Sequence, residues 1–417
     1  MKLYQKEAKE IKCSIKVLDS EAIVEQASEG LFKLSVKLGM EVMRQIFEDE
    51  VTEHTGEKGK HNTDRKAYRH GSEKTKVVMG GEKVPTTRPR VRTKDSDVEI
   101  PLTTLELFQN EDPLNDVVLS RILSGVSCRK YNRTVDTGIK ESTNKSKSEV
   151  SRRFIAGMKV KMDEFFTREI TGSYPVLMID GMAVGDMTII AAMGIDQEGY
   201  KRVLGIIEGA TENNVVVKML LEDLIKRGLD IDEPRLYVLD GAKALRKAVK
   251  DIFGKKAYIQ RCQVHKKRNV LDQLPKSEQA NISISLTNAY REFDYDKAKR
   301  ELELIAGNLE MRYPNATASL LEGLEETLTV HKLGVPGLLR QTVSSTNALE
   351  SANAVCKGVI RRVCSFKNGE GILRHAAAGF MEAEKGFYRV KGYRQLPLLT
   401  NRLLEQEQSN IQSEVAI

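Results

Sequence analysis

Two apolar runs in this 417-residue chain close on the same pair of residues: "VLMIDG", where Asp180 follows Ile179, and "LYVLDG", where Asp240 follows Leu239. Taken singly, an Asp-Gly pair reads as the turn by which a chain leaves a strand. Taken together, in neighbouring parallel strands, the two carboxylates would emerge side by side at the carboxyl-terminal edge of a sheet, where open α/β sheets build their sites. A third carboxylate, Glu350 in "SSTNALESANAV", stands in the first turn of an apparent helix. Its spacing from Asn347 fits a capping box, and spacing alone favours that structural role. Carboxylates gathered at low dielectric repel one another unless a cation lies between them. Oxygen-only ligands select a hard ion such as Mg²⁺ or Mn²⁺. Two such ions roughly 4 Å apart can activate an attacking oxygen and stabilise a leaving one in phosphodiester displacement, with no Ser, Tyr or Cys nucleophile.

The other dense segment is "QRCQVHKKRN". Cys262 and His265 have a metal-like spacing, but no second Cys or His pair lies close in sequence, which argues against zinc. The alternative places His265, Lys266, Lys267 and Arg268 at a phosphate near Asp240; the bland reading is an exposed basic helix start with Cys262 as a small buried residue.

These residues need a frame. "PVLMID", "MTIIAAMGI" and "KRVLGIIEG" read as three strands, the first two closely connected and the last two joined by a turn at "DQEG". A helix from about Asn213 to Arg227, a fourth strand Arg235 to Asp240, a helix Ala242 to Phe253 and a short strand "KAYIQRC" follow. Strand, helix, strand implies a right-handed parallel crossover. The order predicts an α/β sheet of ribonuclease-H type. Beyond Cys262 the pattern is nearly all helical to about Gly323, and a last strong helix spans about Thr346 to Val363.

Upstream, 29–51 has helical apolar spacing suited to packing or dimerisation. From Lys58 to Lys94, twelve lysines or arginines face three acids, a net of +9 that exceeds the +7 of the whole chain. Glycines and prolines interrupt it, so it reads as short strands and extended arms, suited to a phosphate backbone or minor groove, or as a solvated linker. Arg65, Lys66, Arg69, Arg88, Arg90 and Arg92 are its candidate DNA contacts. A helix at about Leu114–Leu123 and another beginning near Ser146 or Ser148 could form a helix-turn-helix, with Lys147, Arg152 and Arg153 at DNA.

No run approaches the ~20 apolar residues of a membrane span, and the charged start excludes a signal peptide, so a cytoplasmic protein is expected. Five scattered cysteines argue against a disulfide framework.

The motifs "LMIDG", "VLDGAKALRKAV", "QRCQVHKKRNVLDQLP", "GLEETLTVHKLGVPGLLR" and "STNALES", in this order, resemble bacterial insertion-sequence transposases of the Mutator type, over most of the chain. The resemblance implies a ribonuclease-H-like domain whose Asp, Asp, Glu triad is Asp180, Asp240 and Glu350, with Cys262 and His265 beside it. It implies Mg²⁺ (or Mn²⁺) as cofactor, double-stranded DNA (inverted-repeat ends and target) as partner, a dimer or larger assembly on DNA, and cleavage followed by strand transfer. The expected divisions are 1–57 helical, 58–165 basic and DNA-binding, 170–265 first part of the catalytic core, 266–340 helical insertion, 341–395 last part of the core, and 396–417 tail. Relatives usually carry tryptophans after the Glu; this chain has none, and Phe366 and His375 would stand in. Two rival readings follow: a catalytically impaired, transposase-derived DNA-binding protein, and a tyrosine recombinase using His375 with Tyr388 or Tyr393.

Overall fold

The computed structural model describes residues 20–60, 65–80, 82–114, 147–209, 213–361 and 369–415; at 20–32, 147–156, 369–370, 411 and 413–415 it describes the backbone only. The chain divides into two compact units, Met1–Met158 and Lys159–Ile417.

In the first unit a long helix α1 (Ser20–Thr55) packs on a hairpin of β1 (Ala67–Met79) and β2 (Glu82–Thr93), with a short third strand β3 (Glu99–Ile100) and helix α2 (Thr103–Asn110). Val36, Met40, Met43, Phe47 and Val51, at helical spacing, bury one face of α1 against Val77, Met79, Val84 and Val91. Between Ala67 and Thr93 the basic segment forms strands, as expected, in an antiparallel ribbon paired from Ala67↔Thr93 to Met79↔Glu82, and not an extended arm. Glycine does not break it: Gly71, at φ 71°, is absorbed by a bulge between Arg69 and Ser72. Glu50 fastens α2 to α1, its carboxylate accepting from the backbone N–H groups of Thr103 (2.7 Å) and Thr104 (3.1 Å) and from both hydroxyls. An acid at a helix amino end meets the exposed N–H groups and the positive end of the dipole. The predicted helix-turn-helix lies largely outside the described residues.

The second unit is built on a five-stranded sheet. Helix α3 (Lys147–Thr167) leads into β4 (Val176–Val184), β5 (Met187–Ile195) and β6 (Lys201–Gly209), then α4 (Asn214–Lys226), β7 (Arg235–Leu239), α5 (Lys243–Phe253) and β8 (Ala257–Arg261). Its order is β6-β5-β4-β7-β8; β4, β5 and β6 are antiparallel, while β7 and β8 run parallel to β4. This is the mixed α/β order expected from the sequence.

One expectation needs correction. Asp180 does not end its strand, because β4 continues to Val184 and Asp180 pairs with Ala191 of β5. The apolar residues past Gly181 find hydrogen-bond partners in β5, and the hairpin turns only at Gly185, at φ 60°. What ends at Asp180 is the pairing with β7, whose last matched pair is Ile179↔Leu239.

Both faces of the sheet are covered. Leu177, Ile179, Tyr237 and Leu239 meet α4 and α5 through Val217, Leu220, Leu245 and Val249. Val176, Met178, Met182, Leu236 and Val238 meet the last helices: α12 (Asn347–Ile360), α13 (Gly369–Lys385) and α14 (Leu396–Val415). Between β8 and α12 runs the helical insertion: α6 (Gln263–Leu271), α7 (Lys276–Arg291), α8 (Tyr295–Glu310), α9 (Pro314–Leu321), α10 (Thr329–Lys332) and α11 (Gly337–Val343). Residues of α6 to α9 form a core of their own that includes Val270, Leu286, Leu302 and Leu320. Among the described residues no helix is long and apolar enough to cross a membrane.

Candidate active site

Parallel pairing of β4 with β7 advances by a constant 60 residues, from Val176↔Leu236 to Ile179↔Leu239. The last matched pair, Ile179↔Leu239, immediately precedes Asp180 and Asp240 in the chain. Side chains two apart on a strand share a face, so Asp180 follows Met178 onto the face covered by α12; β7 ends at Leu239, and Asp240 stands just beyond it. Both aspartates singled out in the sequence thus stand where the β4–β7 pairing ends.

Their local roles differ. Asp180 is 5% exposed, and its Oδ2 accepts from Asn353 Nδ2 at 3.1 Å. Asp240 is half-buried, and its Oδ1 accepts from the Ala242 N–H at 2.8 Å. The Asx turn inferred for Asp-Gly is therefore real at Asp240, and it coexists with a place at the sheet edge. Gly241 is required there: at φ 106°, an added Cβ would lie 2.3 Å from Arg261 Nε.

Helix α12 brings the third carboxylate. Asn353, one turn after Glu350, shares its side of the helix and is bonded to Asp180, so Glu350 lies a single turn from that contact. The capping box does not form. Thr346 is the cap residue and Asn347 is already helical; the Thr346 N–H goes to Cys262 Sγ at 3.5 Å, and Glu350 Oε1 accepts from the Thr346 hydroxyl at 3.0 Å. Asn353 escaped the sequence reading. Its signal was a polar residue on the face made by Leu349, Ala352, Cys356 and Ile360, and its Oδ1 is buried without a hydrogen-bond partner.

Cys262 and His265, at the start of α6, complete the cluster. Cys262 Sγ caps the helix by accepting from the His265 N–H at 3.5 Å. His265 Nδ1 lies 3.8 Å from Glu350 Oε1. The adjoining Cys262 thiol, then the Glu350 and Asp180 charges, raise His265 to about 9 against the effect of burial, which makes it a cation at neutral pH. Burial pushes the Cys262 thiol up, but hydrogen bonds from His265 and Thr346 outweigh it and hold the thiol below its ordinary value.

The family model for "Transposase, Mutator family" matches residues 8–389. The chain belongs to the Mutator family of transposases. It is 27% identical over 363 residues to the transposase for insertion sequence element ISRM5 of Rhizobium meliloti, covering 84% of this chain and 88% of that protein. Against the transposase for IS256 in transposon Tn4001 of Staphylococcus aureus the identity is 26% over 362 residues, covering 82% and 87%.

Other expected contacts of this family member have different settings. Lys266 is 1% exposed, and its ammonium donates to the carbonyls of Ser319 and Glu322 at the end of α9. It locks the insertion together and does not face a phosphate. Lys267 donates to the Thr287 hydroxyl at 3.1 Å, whereas Arg268 is exposed. In the first unit Arg88 and Arg90 share Glu99, Arg92 meets Asp97, and Arg69 meets Glu48; Arg65 and Lys66 are exposed. Lys147, Arg152 and Arg153 fall where only the backbone is described, and Phe366 lies outside the described residues. Among the described residues nothing assembles a tyrosine site: Tyr388 is 83% exposed, Tyr393 lies against Arg389 and Arg394, and His375 Nδ1 contacts the Gly371 carbonyl of its own helix at 2.7 Å.

Proposed function

We propose that this protein is a transposase of the Asp-Asp-Glu class with a ribonuclease-H-like catalytic fold, cutting DNA at the ends of its own insertion sequence and joining them to a target. The observation that supports this reading is the parallel pairing of β4 with β7, which ends one residue before Asp180 and Asp240, with Asn353 of α12, one turn from Glu350, bonded to Asp180. The sheet order β6-β5-β4-β7-β8, with its first three strands antiparallel, supports the fold assignment.

The residues suit a hard divalent cation. The candidate donors are the carboxylates of Asp180, Asp240 and Glu350, and the buried, unpartnered Asn353 Oδ1 adds a neutral oxygen beside them. Mg²⁺ or Mn²⁺, when bound, would supply Lewis-acid activation of the attacking oxygen and charge stabilisation of the leaving one. Asn353 holds one oxygen of Asp180 and so orients the other. His265, 3.8 Å from Glu350, is within reach of a phosphate held at these carboxylates and would donate a hydrogen bond to it. In the first reaction a water oxygen bonds to phosphorus and the P–O3′ bond breaks, leaving a 3′-hydroxyl and a 5′-phosphate. In the second, that 3′-hydroxyl attacks a phosphodiester of the target and displaces a target 3′-oxygen. Two ends must be held together for this, which calls for a dimer or larger assembly on double-stranded DNA.

The test uses labelled DNA carrying the inverted repeat that flanks the gene, with Mg²⁺ or Mn²⁺, comparing the wild type with Asp180→Ala and Asp240→Ala. Metal-dependent cutting by the wild type, lost in both variants while DNA binding persists, is the expected result. Binding without cutting in the wild type would favour a catalytically impaired DNA-binding protein and overturn the enzymatic reading.

A further inference from the structure

Cys262, His265 and Glu350 each offer a ligand atom to one small volume. Sγ, an imidazole nitrogen and a carboxylate oxygen all lie within 4.8 Å of one another. A single group shows that they converge: the Thr346 hydroxyl is 3.5 Å from Cys262 Sγ, 3.5 Å from His265 Nδ1 and 3.0 Å from Glu350 Oε1. Cys262 and Thr346 are fully buried, whereas the side chains of His265 and Glu350 retain 21% and 32% exposure, so an ion has a route in from solvent.

The donor set is of a different kind from the aspartate pair. Thiolate, imidazole and a single carboxylate are the ligands of zinc, which binds sulfur at about 2.3 Å and nitrogen or oxygen at about 2.0–2.2 Å in tetrahedral geometry. Those bond lengths put neighbouring donors roughly 3.3–3.6 Å apart. The 3.8 Å between His265 Nδ1 and Glu350 Oε1 is near that spacing. Sequence spacing argued against zinc because it offered only two ligands; the third comes from α12, 85 residues beyond His265.

We propose that Cys262, His265 and Glu350 form a second cation site, selective for zinc-like borderline ions over Mg²⁺, with water or the Thr346 hydroxyl as fourth ligand. A soft sulfur ligand excludes Mg²⁺ in favour of zinc or cobalt. Glu350 is common to this site and to the proposed catalytic triad, so zinc bound here withdraws the third carboxylate and holds the transposase inactive. The existence of the site is independent of the catalytic proposal; the inhibition rests on it.

Cobalt(II) provides the probe, because thiolate ligation gives a near-ultraviolet charge-transfer band and tetrahedral geometry gives intense visible bands. Titration of the metal-free full chain is expected to show both bands, saturating at one equivalent, displaced by zinc and retained in excess Mg²⁺. Cys262→Ser and His265→Gln, checked for folding by circular dichroism, should lose the charge-transfer band or weaken binding by at least about 10- to 100-fold. The double variant Asp180→Asn, Asp240→Asn should keep it, which separates this site from the aspartate pair. No thiolate band in the wild type, a band unchanged in Cys262→Ser, or a band lost with the two aspartates would overturn the proposal. With the site so established, failure of zinc to inhibit Mg²⁺-dependent cutting would overturn the inhibition alone.

Discussion

His331 in α10 converts burial into a pH dependence that can be worked out from its surroundings. It is 4% exposed; its Nε2 lies 3.1 Å from the Tyr290 carbonyl, and its Nδ1 is buried with no partner. The neutral ring donates from Nε2 and is satisfied; the Tyr290 and Glu292 carbonyls favour the protonated ring, but burial outweighs them. Burial, with the Arg340 charge adding to it, lowers the residue from 6.5 to about 4. The sign follows from which state binds protons more readily. Between pH 6.5 and about 4 the unfolded chain is protonated first, so stability present above 6.5 is lost as the pH falls. The loss from this residue is about 2 kcal/mol by pH 5 and about 3 kcal/mol by pH 4. His331→Gln keeps an amide donor and removes the titration. Urea unfolding followed by circular dichroism, at pH 8 and pH 5, should show the wild type losing about 2 kcal/mol more than the variant over that interval. Equal losses in the two proteins would refute the assignment of a neutral, half-satisfied imidazole.

Three further outcomes are expected. Glu50→Gln should lower the stability of the first unit by roughly 1–3 kcal/mol, because a charged acceptor of backbone N–H groups is weakened; hydrogen exchange of α2 would report it. The same contacts hold the Glu50 carboxyl below its ordinary value despite burial, which by itself raises it, so the wild-type advantage should fade as acid protonates that group. Gly379→Ala places a Cβ 2.7 Å from Cys356 Cα, and overpacking between α13 and α12 should cost roughly 1–3 kcal/mol in thermal unfolding while displacing Glu350 and Asn353. Asn353→Leu should raise the Mg²⁺ concentration needed for cutting by about 10- to 100-fold, as loss of a ligand-orienting partner does, with DNA binding unaltered; an unchanged metal requirement would remove Asn353 from the site.

The sheet was legible because each strand was a short apolar run bounded by turn residues, and because the constant offset between "VLMID" and "LYVLD" is itself a register. The misplaced end of β4 shows the limit of local signals: Asp-Gly marks a turn only when no neighbouring strand is waiting to pair. Glu350 could not be read from spacing, since its first-turn position suits a cap as well as a site. The helix starts one residue earlier than that spacing assumed, and Cys262, 84 residues away, takes the Thr346 N–H. Lys266 and the arginines of β2 show the same dependence on distant groups. Their charge was visible, but the carbonyls at the end of α9 and the acids Glu73 and Glu99 that receive it are long-range or cross-strand partners.

The insertion between β8 and α12 also sets a schedule. Synthesis runs from the amino end, so β4 and β7 can pair with both aspartates in place while Glu350 is still 110 residues (350 − 240) from being made. At roughly 5–20 residues per second this interval lasts on the order of 5–20 s. A nascent or prematurely ended chain therefore has the aspartate pair without Asn353 to orient it and without its third carboxylate. If those three carboxylates cut DNA, the ability to cut is acquired near the end of translation, after the insertion has emerged and can fold.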